Sequence, residues 1–352
     1  MPDASSQRDV YDALPKVELH CHVEGTVRAT TVVELARKGK RRLPAEDPLD
    51  LYRYSSLDSF LAVFWLVQEM LRTPDDWERI AYESLVDAVP HGLRYREMFF
   101  TPARHLTAGQ DLGEIVAGLT RGVEAAEHES GVRCELIANM DRAFGAAAGE
   151  ELVERVGELR RAGRAERVIG IGMDSTELGV DLRAFARAFA RAAELGLRRT
   201  GHAGEAVGVG GENVAIALDV LGVERIDHGT AVAEDPALER RLASSRVPLT
   251  VCPNSNVLIA NRYRRLEDHP FGRMREAGLL VTLNTDDPAM MDLDLGDEYR
   301  SVAAALGMEL ADMAAIALEG VEATWLDDGE KRALRSRFEA EIAALDLPRR
   351  AN

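Results

Sequence analysis

Short β-branched or apolar runs recur along the chain, each followed by a polar turn and then a helical stretch. The runs are VELHCH (17–22), LRYREMFF (93–100), VRCELIANM (132–140), RVIGIGMD (167–174), LRRTGHAGE (197–205), RIDHG (225–229), PLTVCPNSN (248–256) and LLVTLNTDDP (279–288). Taken singly, runs this short fit a strand or a buried helical segment equally well. Their regular alternation with helices predicts parallel βαβ units, and eight such units close a (β/α)8 TIM barrel. Between the runs, residues 181–196 put Leu182, Phe185, Phe189 and Ala193 on one helical stripe and stop at Gly196, a residue type that ends helices. Residues 113–129 and 150–163 read as helices in the same way.

One connection is oversized. About 70 residues separate the first two runs, far more than a βα loop needs. They contain a polar, Pro-bearing loop, LARKGKRRLPAEDPLDLYRY, and an apolar helix, SLDSFLAVFWLVQEML. An enlarged helical insertion after the first strand falls on the C-terminal face of a barrel, where it forms a lid or pocket wall, or simply covers the mouth. No composition shift marks a second domain, so the expected organisation is a flexible stretch at 1–13, one barrel over 14–347 and a short tail at 348–352.

Composition narrows the partners. A chain of 352 residues with 46% hydrophobic and 29% charged residues is ordinary for a globular protein. Lys plus Arg number 43 against 60 Asp plus Glu, and the resulting charge of −17 disfavours nucleic acid and anionic membranes. Cys21, Cys134 and Cys252 are too few and too scattered for a disulfide framework or a thiolate zinc site, and suit a reducing compartment. With neither a signal-like start nor a membrane-length apolar stretch, the expected location is the cytoplasm.

Of eight histidines, His20, His22, His202 and His228 fall at predicted strand ends, and the last run ends in Asp286-Asp287. A strand has a period of two, so His20 and His22 share a face. In a barrel all C-terminal strand ends surround one mouth. Two imidazoles one residue apart, a third imidazole and a carboxylate suit zinc or a similar divalent ion with a position left open for water. Glu205, three residues after His202, is placed to transfer a proton beside the metal. Read one at a time, His228 fits a core histidine, Asp287 a turn residue and Glu205 a helix cap; four runs ending in such groups point to a site. The third and fourth runs end in NMDR and GMDSTE, without the lysine that a binuclear barrel hydrolase would carboxylate, so one metal is expected. No CxxC accompanies a histidine, and the glycines clustered at 208–211 do not open a helix directly after a strand.

LPKVELHCHVEGT, RTGHAGE, ERIDHG, LTVCPNSNV and VTLNTDDP, in that order, resemble the adenosine and adenine deaminases of the metal-dependent amidohydrolase superfamily. The resemblance runs from about Leu14 to the helix near Leu345. It implies that His20, His22, His202 and Asp286 hold one Zn2+ or another divalent ion. It also implies that Glu205 gives a proton to purine N1, that His228 orients the attacking water and helps deprotonate it, and that Asp287 contacts N7 and the attacking oxygen. SFLAVF is similar to the family's apolar pocket wall, so Phe60, Leu61 and Phe64 either cover the base or simply pack a lid helix. Two departures separate this chain from the adenosine type: Glu24 stands where an Asp that helps hold the ribose is common, and Ser175 where a glycine meets the purine. Both look like the adenine-deaminase branch. The implied reaction is hydrolytic removal of the amino group of a 6-aminopurine, with adenine favoured. Adenosine or deoxyadenosine and aminodeoxyfutalosine are the alternatives, and a non-deaminating amidohydrolase is the more remote one.

Overall fold

The eight runs form eight strands: β1 Lys16–Glu18, β2 Leu93–Phe100, β3 Arg133–Asp141, β4 Val168–Asp174, β5 Arg198–Ala203, β6 Arg225–His228, β7 Leu249–Val251 and β8 Val281–Leu283. The computed structural model describes residues 10–345 except Glu46, Ser55 and Ser56. Every neighbouring pair in the order β1 to β8 is parallel. The ring returns from β8 to β1 just beyond the strands: Cys21 bridges Asp286, the Asp286 amide donates to the His20 carbonyl (3.1 Å), and the His22 amide donates to the Asp286 carbonyl (2.9 Å). This is the (β/α)8 barrel that the alternation predicted.

The helices start and stop where local chemistry requires. Pro74–Ala88 opens with a capping box, Thr73 and Asp76 each binding the other's backbone N–H, with Pro74 in the first turn. Leu112–Ser130 begins at Asp111, which accepts from the Glu114 amide, and ends at left-handed Gly131. The segment predicted as one helix over 181–196 is a 3-10 turn, Leu182–Phe185, followed by Ala186–Glu194. Its buried stripe is Leu182, Phe185, Phe189 and Ala192; Ala193 is exposed, because the initial 3-10 turn advances the register by a residue. The helix expected over 150–163 begins earlier, as Gly145–Arg161. Part of the expected polar loop is helical, as Ala29–Lys38 and Pro48–Leu51, since Val32, Leu35 and Ala36 recur at helical spacing and are buried.

Residues 10–13, assigned from sequence to a loose terminus, form a helical turn with Tyr11 buried; residues 1–9 and the tail 348–352 lie outside the described residues. A main apolar core lies between strands and helices, and a smaller cluster joins Val17, Leu19, Tyr95 and Leu280 to Val321 and Phe338 of the C-terminal helices. Charges are buried as well. Glu18 pairs with Arg96 at 2.5 Å, and Glu97 with Arg225 at 2.5 Å, whose guanidinium lies 4.0 Å from the Trp325 ring. Among the described residues, no helix is long and apolar enough to cross a membrane.

Candidate active site

Four strand ends deliver the expected side chains to one point. His20 Nε2 lies 3.1 Å from Asp286 Oδ1, and His22 Nε2 lies 3.3 Å from the same oxygen and 3.2 Å from His202 Nε2. One donor atom each from His20, His202, His228 and Asp286 forms a group mutually within 4.8 Å. That group includes His228 and not His22, whereas the family likeness implied His22 as a ligand and His228 as the residue on the water. Three non-glycine residues at this rim adopt left-handed backbone: Ser175 (φ 76°), His228 (φ 62°) and Asp286 (φ 67°). Such backbone is costly for residues with a Cβ and clusters at functional sites.

The donor set fits a divalent cation. Facing imidazole nitrogens and a carboxylate, all buried, leave their lone pairs converging with nothing of opposite sign between them. The far nitrogens are already committed: His20 Nδ1 meets the Thr250 carbonyl and Oγ1 at 3.1 Å each, and His202 Nδ1 faces Asp227 Oδ2 at 3.4 Å. That leaves each Nε2 free to ligate, the arrangement by which outer partners orient metal-binding histidines. Ser255 Oγ donates to Asp286 Oδ2 at 2.6 Å, fixing the carboxylate. Burial would raise the Asp227 carboxyl, but His202, His20 and Arg225 hold it well below the usual range.

Glu205 follows β5, with Oε1 3.5 Å from His228 Nε2. Burial, with Asp286 and Glu177 adding negative charge, pushes its carboxyl up to about 8, so it carries a proton at neutral pH. Its loop is held by Glu177, whose oxygens accept from the amides of Gly204, Glu205 and Ala206 and from Asn213 Nδ2 at 2.8–3.2 Å. Asp287 is buried, its carboxyl raised by burial and by Asp286, and its Oδ1 has no hydrogen-bond partner among the described residues. Gly25 makes room for it: a Cβ there would lie 1.9 Å from Asp287 Oδ1.

Above this floor lies a cavity of about 560 Å³ whose lining includes Phe60, Leu61 and Phe64, together with Trp65, Ser175, Glu205 and Asp287. The apolar wall is therefore the helix Leu57–Met70, as the SFLAVF segment suggested. Glu24 is buried beside the site: its Oε1 accepts from the Thr101 amide at 2.8 Å, and burial pushes its carboxyl up to about 7. Residues unforeseen from sequence complete the frame. Asp174 Oδ2 accepts from Thr101 Oγ1 (2.5 Å) and Asn139 Nδ2 (2.9 Å) and lies 3.8 Å from His22 Nδ1. Arg142 ties the carbonyls of Asp174 and His202 together. The only sequence signal for Asp174 was its place at a strand end.

A parallel barrel whose strand ends gather imidazoles and carboxylates around one point, beside a proton-bearing glutamate, defines the class: a barrel hydrolase with a rim built for a divalent ion. The family model for adenosine deaminase matches residues 15–341, and the chain belongs to that family. It is 40% identical over 344 residues to an adenine deaminase of Streptomyces coelicolor, spanning 96% of this chain and 98% of that one. The crystal structure of an adenine deaminase from Arthrobacter aurescens superposes with a TM-score of 0.87 at 33% identity, covering 94% and 99% of the two chains. An amidohydrolase from Burkholderia ambifaria with bound zinc gives a TM-score of 0.89 at 30% identity, covering 98% and 95%.

Proposed function

We propose that this protein is an adenine deaminase: adenine and water give hypoxanthine and ammonia in a site that holds one divalent ion, zinc being the best match. His20, His22, His202 and Asp286 would hold the ion, with His228 at the edge of the set. When bound, it supplies the acidity that makes water a nucleophile at neutral pH. The observation that carries the reading is the Glu205 carboxyl beside that donor set, at the floor of an apolar cavity.

Attack at C6 breaks ring aromaticity and pushes an electron pair onto N1, which must take a proton as the new C–O bond forms. Glu205 gives that proton. His228 orients the attacking water, and Asp287, whose Oδ1 has no hydrogen-bond partner among the described residues, binds the substrate edge and the incoming oxygen. The amino group takes up the proton lost by the water and leaves as ammonia, and the remaining hydroxyl proton returns to Glu205 as C6 becomes a carbonyl and the ring is restored. Phe60, Leu61 and Phe64 cover the base and exclude water, and Ser175 lines the cavity beside them. Adenine is favoured over nucleosides because relatives bearing that activity in their names match across nearly the full length. Free, buried Cys21, Cys134 and Cys252 suit the cytoplasm.

Rates with adenine, adenosine and aminodeoxyfutalosine, measured side by side by purine absorbance and ammonia release, test the assignment. Adenine should be the fastest of the three. Absence of ammonia from adenine would overturn the reading, and faster release from a nucleoside would move it to another branch.

A further inference from the structure

Behind His228 lies a hydrogen-bond chain that runs away from the cavity and ends on the backbone. The Phe271 amide is 3.2 Å from His269 Nδ1, His269 Nε2 is 3.1 Å from Asn256 Oδ1, and Asn256 Nδ2 is 3.1 Å from His228 Nδ1. All three side chains are buried. The Tyr263 ring packs edge-on against His269 with centroids 4.8 Å apart, which fixes the plane of that imidazole.

The direction of this chain is set at one end. A backbone amide can only donate, so His269 Nδ1 accepts and carries no proton; the ring must then hold its proton on Nε2. That N–H donates to Asn256, which orients the amide with its oxygen toward His269 and its NH2 toward His228. His228 Nδ1 is thereby an acceptor, and the proton of this ring sits on Nε2, the nitrogen facing Glu205 and Asp286. Burial holds His269 uncharged, with its pKa lowered to about 3, so the direction does not reverse over the working range of the protein.

We propose that His269 and Asn256 are positioning residues that lock His228 as the Nε2–H tautomer, so that it donates a hydrogen bond to the attacking oxygen and, contrary to the role the family likeness implied, leaves the water's proton to Asp287. The inference rests on the deaminase reading for its effect on rate, but the tautomer itself is a property of the resting protein. Three residues far apart in sequence thus deliver the polarity of one peptide amide to the reaction centre. Fixing a ring through its far nitrogen is how outer partners act on metal and triad histidines, and a wrong tautomer is costly even when the geometry is kept.

The test pairs turnover with 15N-histidine NMR of the metal-loaded protein, which reads which ring nitrogen bears hydrogen and needs no substrate. The unaltered protein should show His228 with Nδ1 bare and Nε2 protonated; the opposite tautomer overturns the proposal outright. Asn256→Asp offers only acceptors, so His228 should move its proton to Nδ1. kcat on adenine should then fall roughly 10²- to 10⁴-fold with KM nearly unchanged. His269→Leu removes the donor that holds the amide and should mix the two tautomers with a kcat loss of about 10- to 100-fold. His269→Gln keeps an N–H toward Asn256 and should restore most of the rate, a rescue that a merely space-filling role would not require. Retention of the Nε2–H signal and full kcat in His269→Leu refutes the relay, including when Asn256→Asp does not fold. If the unaltered protein fails on adenine, the deaminase reading falls while the tautomer measurement still decides the relay.

Discussion

At the scale of single residues, Glu205 and the carboxylates around it set the chemistry. Glu205→Gln removes the proton donor and leaves the donor cluster intact, so bound metal should be retained while kcat falls by roughly 10²- to 10⁴-fold. Elemental analysis with steady-state kinetics checks both halves. The active form of Glu205 carries its proton, and burial, Asp286 and Glu177 push its pKa up to about 8. Rate should therefore decline as pH rises through that value. In Glu177→Gln one negative neighbour is gone, ionisation of Glu205 is easier, and the declining limb of the pH–rate profile should move to lower pH; an unmoved limb would separate Glu177 from the titration. Much of this was legible in the sequence, because histidines and carboxylates at the ends of separate runs are conspicuous. Glu177, Asp174, Asn256 and His269 were not, since each acts on a group supplied by another element, as Glu177 does on the loop 204–206. Spacing along the chain carries no trace of such pairs.

At the scale of elements, the insertion after β1 turns a rim into a pocket. The rings of Phe60 and Phe64 stack with centroids 5.9 Å apart, and Tyr54 packs edge-on against Phe60 at 5.2 Å. Phe64→Ala should raise KM for adenine by roughly 10-fold with a smaller change in kcat, because the ring contributes binding rather than chemistry. Michaelis kinetics on adenine would expose a pure packing role by leaving KM unchanged. The strands were readable from their alternation with helices: six runs contain their strand, while β1 starts one residue before its run and β3 ends one residue after it. Their ends were less so: VELHCH reads as one strand, yet β1 stops at Glu18 and the chain turns irregular so that His20 and His22 both reach the centre. The Ala193 error has the same character, since a single 3-10 turn shifts a helical stripe and apolar spacing cannot announce it.

Across the whole molecule, a buried carboxyl whose pKa is raised gives the stability a pH dependence of defined sign. Glu298, which accepts from the Asn254 amide at 3.3 Å and from Asn254 Nδ2 at 2.8 Å, is fully buried and its pKa is pushed up to about 8 from an ordinary 4.5. Between those values the folded state keeps a proton that the unfolded chain has lost, so its contribution is intact below about 4.5 and is lost as pH rises through about 8. Urea unfolding near pH 5 and near pH 8 should show the drop, and Glu298→Gln should reduce it; an equal drop in the variant would assign the slope to other groups. The architecture was open to sequence reading, whereas charged pairs such as Glu18 with Arg96 were not, because runs read as apolar conceal which polar members find partners.

The seam of the barrel has one more consequence. Asp286 supplies backbone to join the last strand to the first and a carboxylate to the converging imidazoles. An ion gripped there would act as a rivet through the overlap, tying the first strand to the last at the place where they meet. Ring and catalyst are thereby finished in one stroke, and a chain whose final strand has not yet docked is inert toward substrate.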